Sequence, residues 1–171
     1  KIAFAFLLSM PGAPFIYYGD EIGMRYVENL VSVEGGYGRT GSRSPMQWDD
    51  GVNSGFSTAA SEKLYIPIDP AADRPTVQAQ ISDKNSLYNE IKRLIRIRRE
   101  HPALLSRGEI EFVYAEKNEY PLAYVRSAGN EKILVVINPA AREAAFGGDF
   151  SAAECIYSFG TTAKIGGGKV L

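Results

Sequence analysis

The feature that most constrains the fold is a short apolar run near the start of the chain, PFIYYG at residues 14–19. It lacks the alternation of apolar and polar residues that is typical of a strand with one solvent-exposed face. It therefore predicts a strand buried on both faces, as in a parallel sheet covered by helices. The preceding run, KIAFAFLLSM at residues 1–10, predicts a buried helix that ends at the Pro11-Gly12 break. This first part of the chain therefore indicates an α/β arrangement.

A second helix is predicted between Asp83 and Pro102. Asp83 is a candidate N-cap, and Pro102 disfavours continuation of the helix. His101, at the helix end, is expected to cap terminal carbonyls. The apolar side chains recur at the spacing of an amphipathic helix: Leu87, Ile91, Leu94 and Ile95.

Beyond residue 105 the pattern changes to short runs rich in β-branched and aromatic residues, separated by Gly, Asn and Pro at hairpin spacing. The runs are EIEFVYA (109–115), PLAYVRSA (121–128), KILVVINPA (132–140) and ECIYSFG (154–160). They predict an antiparallel β-sandwich in residues 106–171, after an α/β part in residues 1–105. Both ends of the sequence are typical of a piece cut from a longer protein, and we expect the chain to be one.

Charge and cysteine content narrow the function. Lys and Arg total 19 against 20 for Asp and Glu, so the net charge of -1 gives no field to collect nucleic acid or anionic lipid. The apolar run at residues 2–8 is too short to cross a bilayer. Cys155 is alone, and neither CxxC pairs nor His/Cys clusters occur, so the sequence predicts no metal site and no cofactor. Partners of the nucleic-acid and membrane classes are not expected, and the compartment stays open.

The most informative stretch is GSRSPMQWDD at residues 41–50, inside a long loop from about residue 20 to 80. Arg43 offers a planar fork of donors, Gln47 an amide, and Trp48 a flat apolar face. Such a set suits a pyranose ring, which presents hydroxyls at its edge and C–H groups on its face. An equally open interpretation makes Trp48 a hydrophobic plug and Arg43 a structural ion-pair partner.

The adjacent acids Asp20 and Glu21 raise the question of a catalytic carboxylate pair. A retaining glycosidase needs its two carboxyl groups about 5 Å apart and facing one bond. Neighbouring side chains usually point in different directions, so we do not expect these two to form that pair. The serines lack a histidine partner for a triad.

Two motifs together resemble glycoside hydrolase family 13, the α-amylase family. MPGAPFIYYGDEIGM (10–24) is similar to the segment around the family's eighth barrel strand, and GRTGSRSPMQWDD (38–50) followed by GFS (55–57) is similar to its α-glucosidase-type members. The predicted helix, SLYNEIKRLIRIRREHPAL at residues 86–104, resembles the last barrel helix, and the β-rich remainder resembles the C-terminal domain. The resemblance implies the end of a (β/α)8 TIM barrel followed by a C-terminal antiparallel β-sandwich domain.

The resemblance also implies a retaining mechanism on α-linked glucose, with a carboxylate nucleophile and a second carboxyl as acid and base. In the family these groups and a third acid lie on strands four, five and seven, before Lys1, so no catalytic residue is expected in this chain. Arg43 is implied to contact the substrate. A role in supporting the loop or the site behind it is implied for six residues: Tyr18, Asp20, Glu21, Gln47, Trp48 and Asp49.

Three functions remain as alternatives. The chain is part of a hydrolase of malto- or isomalto-oligosaccharides, part of a trehalose synthase or transglucosylase of the same family, or a non-catalytic carbohydrate-binding or structural β-module. The expected partner in the first two is an α-glucan or a malto- or isomalto-oligosaccharide, and a calcium ion bound by the upstream part stays open. We also expect residues 1–80 to self-associate or rearrange, because residues 14–18 would leave strand edges unpaired.

Overall fold

The structure is a computed structural model that describes residues 1–160, 163–166 and 168–170. It contains three α-helices, α1 (Ile2–Ser9), α2 (Val77–Ser82) and α3 (Leu87–Glu100). The described strands are β1 (Glu109–Tyr114), β2 (Leu122–Ala128), β3 (Glu131–Ile137), β4 (Phe146–Gly147), β5 (Ile165–Gly166) and β6 (Lys169–Val170). None of the helices in the described residues has the length and apolar character needed to cross a membrane.

Two compact units make up the chain. One comprises Phe15–Arg93, and the other comprises Lys1–Pro14 together with Leu94–Leu171. The predicted domains, residues 1–105 and 106–171, refer to a larger parent protein and stay a prediction. Residues 161, 162, 167 and 171 of the predicted β-sandwich lie outside the described residues.

Both helices expected from the sequence are present. α1 is apolar up to Leu8 and ends where Met10 becomes extended, next to Pro11. The expectation that it is a buried helix is wrong for this structure, because Ile2 and Phe6 are each 39% exposed and only Leu8 and Ser9 are buried.

In α3, Ile91 and Leu94 are buried as the periodicity predicts, whereas Leu87 is half-buried and Ile95 is 37% exposed. The prediction that Asp83 is the N-cap of α3 is wrong. Instead, the Oγ of Ser86 accepts a hydrogen bond from the Asn89 backbone N–H at 3.1 Å. Ser86 occupies the cap position because its hydroxyl reaches the third helical residue.

The first three β-rich runs form an antiparallel sheet in the order β1-β2-β3. β2 is buried on both of its faces. Tyr124 lies toward α1, where its hydroxyl is 2.5 Å from the Oγ of Ser9. Ala123 lies in a cluster with Phe146 and Val170, which belong to the small sheet β4-β6-β5. The central strand therefore has a helix on one side and the small sheet on the other.

Two predicted strands are absent from the described structure. Residues 154–160 are irregular, and residues 13–17 form no regular secondary structure, with Phe15 89% exposed. Both predictions rested on apolar content. A strand also needs a neighbouring strand that pairs with its backbone N–H and C=O groups, and within the described residues neither run belongs to a sheet.

Two buried arginines hold the end of α1. The guanidinium of Arg98, from α3, donates to the carbonyl oxygens of Leu8, Met10 and Gly12 at 2.6, 2.7 and 2.6 Å. Arg126, from β2, donates to the carbonyl of Ser9. Burial lowers the pKa of both arginines, and proximity to Arg98 lowers that of Arg126 further.

Arg126 also binds the connection that leads from α3 into the sheet. It donates to the carbonyl oxygens of Leu105, Gly108 and Glu109 at 2.8, 3.0 and 3.0 Å. A Cβ at Gly108 would lie 2.8 Å from the guanidinium and would collide with the carbonyl of Ala103. Only glycine leaves room for this fully buried guanidinium.

Glu131, the first residue of β3, forms the other polar link in this unit. Its carboxylate accepts the Ala103 backbone N–H at 2.7 Å and lies 2.7 Å from the Nδ1 of His101. The Ala103 N–H, and then His101, hold the pKa of the Glu131 carboxyl below its usual value. The expectation that His101 caps helix carbonyls is wrong, because its ring contacts this carboxylate instead.

We expect Arg126→Met to lower the free energy of unfolding by at least about 3 kcal/mol, since several carbonyls would be left buried without a donor. Urea unfolding followed by far-UV circular dichroism measures this change. The exposed Arg107→Met is the control and should stay within about 0.5 kcal/mol of the wild type. Equal stabilities of the two variants would contradict the assigned role of Arg126.

We expect the stability that Glu131 contributes to depend on pH. Because its folded pKa lies below its unfolded value, the contribution is complete above about 4.5 and is lost as the pH falls through the folded pKa. In urea unfolding, the difference in free energy of unfolding between the wild type and Glu131→Gln should therefore shrink as the pH falls below about 4.5. A pH-independent difference, or the same dependence with the exposed Glu111→Gln, would refute this.

Candidate functional site

The segment that carries Trp48 is fastened to the first turn of α2. The carbonyl oxygens of Gln47 and Trp48 accept the backbone N–H groups of Val77 and Gln78, both at 2.9 Å. The buried amide of Gln47 donates from Nε2 to the carbonyl of Pro75 at 2.5 Å. The loop is therefore held at this point by backbone and side chain together.

The segment that carries Arg43 is fixed on both sides. Before it, the Gly41 carbonyl accepts the Val27 N–H at 2.9 Å. A Cβ at Gly41 would collide with the Val27 carbonyl and the Tyr26 ring. After it, the carbonyl of Ser44 accepts the hydroxyl of Tyr18 at 3.1 Å.

Arg43 itself is exposed, and no hydrogen bond or ion pair within the described residues engages its guanidinium. The ion-pair interpretation left open by the sequence has no partner among these residues. A rigid backbone thus presents a guanidinium whose donors are available.

Arg43 and Trp48 line one open cavity of about 420 Å³, a volume typical of small-molecule pockets. Four of the residues singled out from the sequence meet here: Tyr18, Glu21, Arg43 and Trp48. The wall combines one cation, one carboxylate and several aromatic rings. Trp48 lines this cavity and is 49% exposed.

Three of the singled-out residues lie elsewhere. Gln47 is buried below the loop, as described above. Asp20 is exposed and accepts the Tyr17 N–H at 3.2 Å. Asp49 accepts the Gly51 N–H at 2.7 Å and borders a separate cavity of about 530 Å³. Their contacts are of the kind that shape a loop.

Two polar groups of the 420 Å³ cavity have unusual surroundings. Burial, followed by the neighbouring Tyr17, raises the pKa of the Tyr18 hydroxyl, and Arg43 opposes this in part. The Tyr18 hydroxyl donates its hydrogen bond to the Ser44 carbonyl. The Oε2 of Glu21 is buried and has no hydrogen-bond partner within the described part of the chain.

Sequence reasoning missed five residues of the cavity wall: Pro45, Met46, Phe56, Tyr65 and Ile66. Pro45 and Met46 belong to the motif that singled out Arg43, and Phe56 to the GFS motif. Tyr65 and Ile66 follow in an aperiodic part of the loop, where nothing local indicates a shared cavity.

With this geometry established, comparisons with known proteins identify the family. The model of the α-amylase catalytic domain matches residues 1–108. The chain belongs to the α-amylase family, glycoside hydrolase family 13, whose members are TIM-barrel enzymes that act on α-glucans and related sugars. The family predicted from the two sequence motifs is thus confirmed.

Individual relatives are enzymes of more than one kind. The chain is 32% identical over 166 residues to an oligo-1,6-glucosidase from Parageobacillus thermoglucosidasius, covering 81% of this chain and 29% of that protein. It is 40% identical over 133 residues to the trehalose synthase/amylase TreS of Mycobacterium tuberculosis, covering 74% of this chain and 20% of that one. The chain thus spans less than a third of the length of either relative.

Solved structures agree with this assignment. The trehalulose synthase MutB from Pseudomonas mesoacidophila superposes with a TM-score of 0.78 at 28% identity, over 99% of this chain and 36% of MutB. A variant of MutB has been solved with its substrate sucrose. Among the described residues of the present chain, no group of three or more His, Cys, Asp or Glu side chains is arranged to hold a metal ion.

We expect Gly41→Ala to destabilise the unit that carries the cavity by about 2 kcal/mol, because the added methyl group collides with the Tyr26–Val27 segment. Urea unfolding followed by the fluorescence of Trp48, the single tryptophan, reports on this unit. The matched control is Gly38→Ala, where a Cβ meets nothing within 4 Å. Equal midpoints for the two variants would show that Gly41 is not a required close approach.

Proposed function

We propose that the chain forms part of the substrate-binding wall of a retaining α-glycosidase that acts on α-linked glucose oligosaccharides. The observation that carries the proposal is the cavity lined by both Arg43 and Trp48, where the guanidinium has no partner among the described residues and the indole is 49% exposed. The similarity to an oligo-1,6-glucosidase supports this choice.

The chemistry of the wall suits a sugar. The guanidinium of Arg43 donates several hydrogen bonds in one plane and therefore suits neighbouring hydroxyl oxygens. The indole of Trp48 offers a flat apolar surface for the C–H face of a ring. In this assignment Gln47 and Asp49 hold the loop, while Asp20 and Tyr18 maintain the turn and the Tyr18–Ser44 contact behind Arg43.

The catalytic step is assigned to residues outside this chain. By the family resemblance, the nucleophile, the acid/base and the third acid belong to strands four, five and seven of the parent barrel. We therefore propose that residues 1–105 complete such a barrel, that residues 106–171 form a C-terminal β-sandwich domain, and that the 171-residue chain alone does not hydrolyse glycosides.

A trehalose synthase or transglucosylase is the second candidate. The observation in its favour is the 40% identity to TreS, which exceeds the 32% identity to the oligo-1,6-glucosidase, although over fewer residues. Products made from maltose by the longer parent protein distinguish the two: free glucose indicates hydrolysis, and trehalose indicates isomerisation. If the protein is instead a non-catalytic module, neither product is expected.

We expect the 171-residue chain to bind maltose or isomaltose in a calorimetric titration and to release no glucose. Arg43→Met should weaken the binding about tenfold or more, because bonds from a charged donor are lost. Arg107→Met is the control and should bind as the wild type does. The proposal fails if neither sugar binds, or if the two variants bind equally well.

A further inference from the structure

We propose that Asn53 is a positioning residue for sugar binding, whose buried amide fixes the ring of Phe56 relative to Trp48. The inference rests on the proposed function and extends it to a residue that lines neither cavity. Phe56 lines the cavity of about 420 Å³ together with Trp48, borders the cavity of about 530 Å³ as well, and is 50% exposed.

Asn53 holds the chain on both sides of Phe56. The carbonyl of Asn53 accepts the Phe56 backbone N–H at 3.0 Å. Its Nδ2 donates to the carbonyl oxygens of Ser57 and Ala59 at 2.9 and 2.8 Å, and its Oδ1 accepts the hydroxyl of Ser61 at 2.7 Å. Asn53 is only 4% exposed, so these bonds are shielded from water. The whole amide is therefore engaged by the segment that carries Phe56.

The next residue, Ser54, connects this point to Trp48. The Ser54 carbonyl accepts the Trp48 backbone N–H at 2.8 Å. The buried hydroxyl of Ser54 accepts the Nε of Arg74 at 2.9 Å. Because Asn53 and Ser54 are consecutive, the backbones that carry Phe56 and Trp48 are tied to one place in the loop.

The backbone at this place is strained. Asn53 and Ser54 lie in the left-handed region, with φ of 51° and 55°. Consecutive residues with a Cβ rarely adopt this conformation, and it persists where surrounding contacts fix it. A Cβ at Gly55 would lie 2.6 Å from the Oδ2 of Asp49, so the loop closes tightly on the segment that carries Trp48.

The placement of the two rings matters for a sugar because dispersion contacts depend steeply on distance. A gap of about 0.5–1 Å already removes roughly a quarter to a half of the attraction between two atoms. A residue that fixes Phe56 relative to Trp48 can therefore change the affinity for a sugar without touching it.

The test is an isomaltose titration of the 171-residue chain, read from the fluorescence of Trp48. Asn53→Gly removes the amide but adds no backbone strain, because glycine adopts a positive φ readily. We expect about fivefold weaker binding. The matched control is Asn29→Gly, at an exposed residue of the same unit with φ of 57°, and it should leave the affinity unchanged.

A double-mutant cycle separates positioning of the ring from general support of the fold. If Asn53 acts through Phe56, Asn53→Gly should weaken binding by less than about twofold when Phe56→Ala is already present. The same fivefold loss in both backgrounds overturns the inference, because Asn53 then acts independently of the Phe56 ring.

The two proposals fail in different ways. If Asn53→Gly binds as tightly as Asn29→Gly while Arg43→Met binds weakly, the role of Asn53 is overturned and the proposed function stands. If the wild type shows no saturable binding, the proposed function is overturned and the role of Asn53 with it.

Should Asn53→Gly unfold at a lower urea concentration, hydrogen exchange of the wild type decides. Coupling between two equilibria is reciprocal, so if a fixed loop favours the sugar, bound sugar must also fix the loop. Saturating isomaltose should slow exchange of the Phe56 N–H at least about threefold more than that of the Gln80 N–H, which is bonded to the Thr76 carbonyl in α2. Equal slowing of the two amides overturns the inference.

Discussion

The unit built around the sheet depends on how the end of α1 is satisfied. An eight-residue apolar helix is not stable alone, and its last carbonyl groups have no partners within the helix. The guanidiniums of Arg98 and Arg126 donate to the carbonyls of residues 8, 9, 10 and 12. The helix C-terminus carries partial negative charge, which compensates two buried cations that meet no carboxylate within the described residues.

The same interaction explains why distant segments are held together. Arg126 lies on the central strand, and its remaining bonds reach the connection that follows α3. The side chain of Arg126 thus joins the end of α1, the connection after α3 and the strand β2. Glu131 makes a second link between that connection and the sheet. Non-local hydrogen bonds of this kind cannot be read from periodicity, so the two arginines had no assigned role in the sequence.

The unit that carries the cavity follows a different plan. Its backbone is irregular, and its rigidity comes from side chains that bind backbone groups, such as Gln47 to Pro75 and Tyr18 to Ser44. At the cavity, the guanidinium of Arg43 and one oxygen of Glu21 have no hydrogen-bond partner within the described residues, and away from the cavity the buried Oε1 of Gln47 has none either. A fixed backbone behind a side chain with free hydrogen-bond donors, such as Arg43, is the arrangement expected of a binding site.

How much the sequence predicted depends on how local the signal is. The apolar period of α3 and the turn-separated runs of β1, β2 and β3 are local, and these elements form as predicted. The strand expected at residues 14–19 failed, because pairing depends on a neighbour that the pattern does not contain. Arg43 and Trp48 were found because they belong to one contiguous motif. Tyr65 and Ile66 line the same cavity only because the loop folds back, and the spacing of residues in the sequence does not indicate this.

The measurement that tests the central claim most directly is a two-dimensional NMR titration of the 171-residue chain with isomaltose. Trp48 supplies the single indole N–H signal, and Arg43 supplies a guanidinium signal that is identified by its loss in Arg43→Met. A sugar bound in their cavity predicts that both signals shift together and saturate at the same concentration. Shifts confined to other residues, or no shift at saturating sugar, would contradict the account.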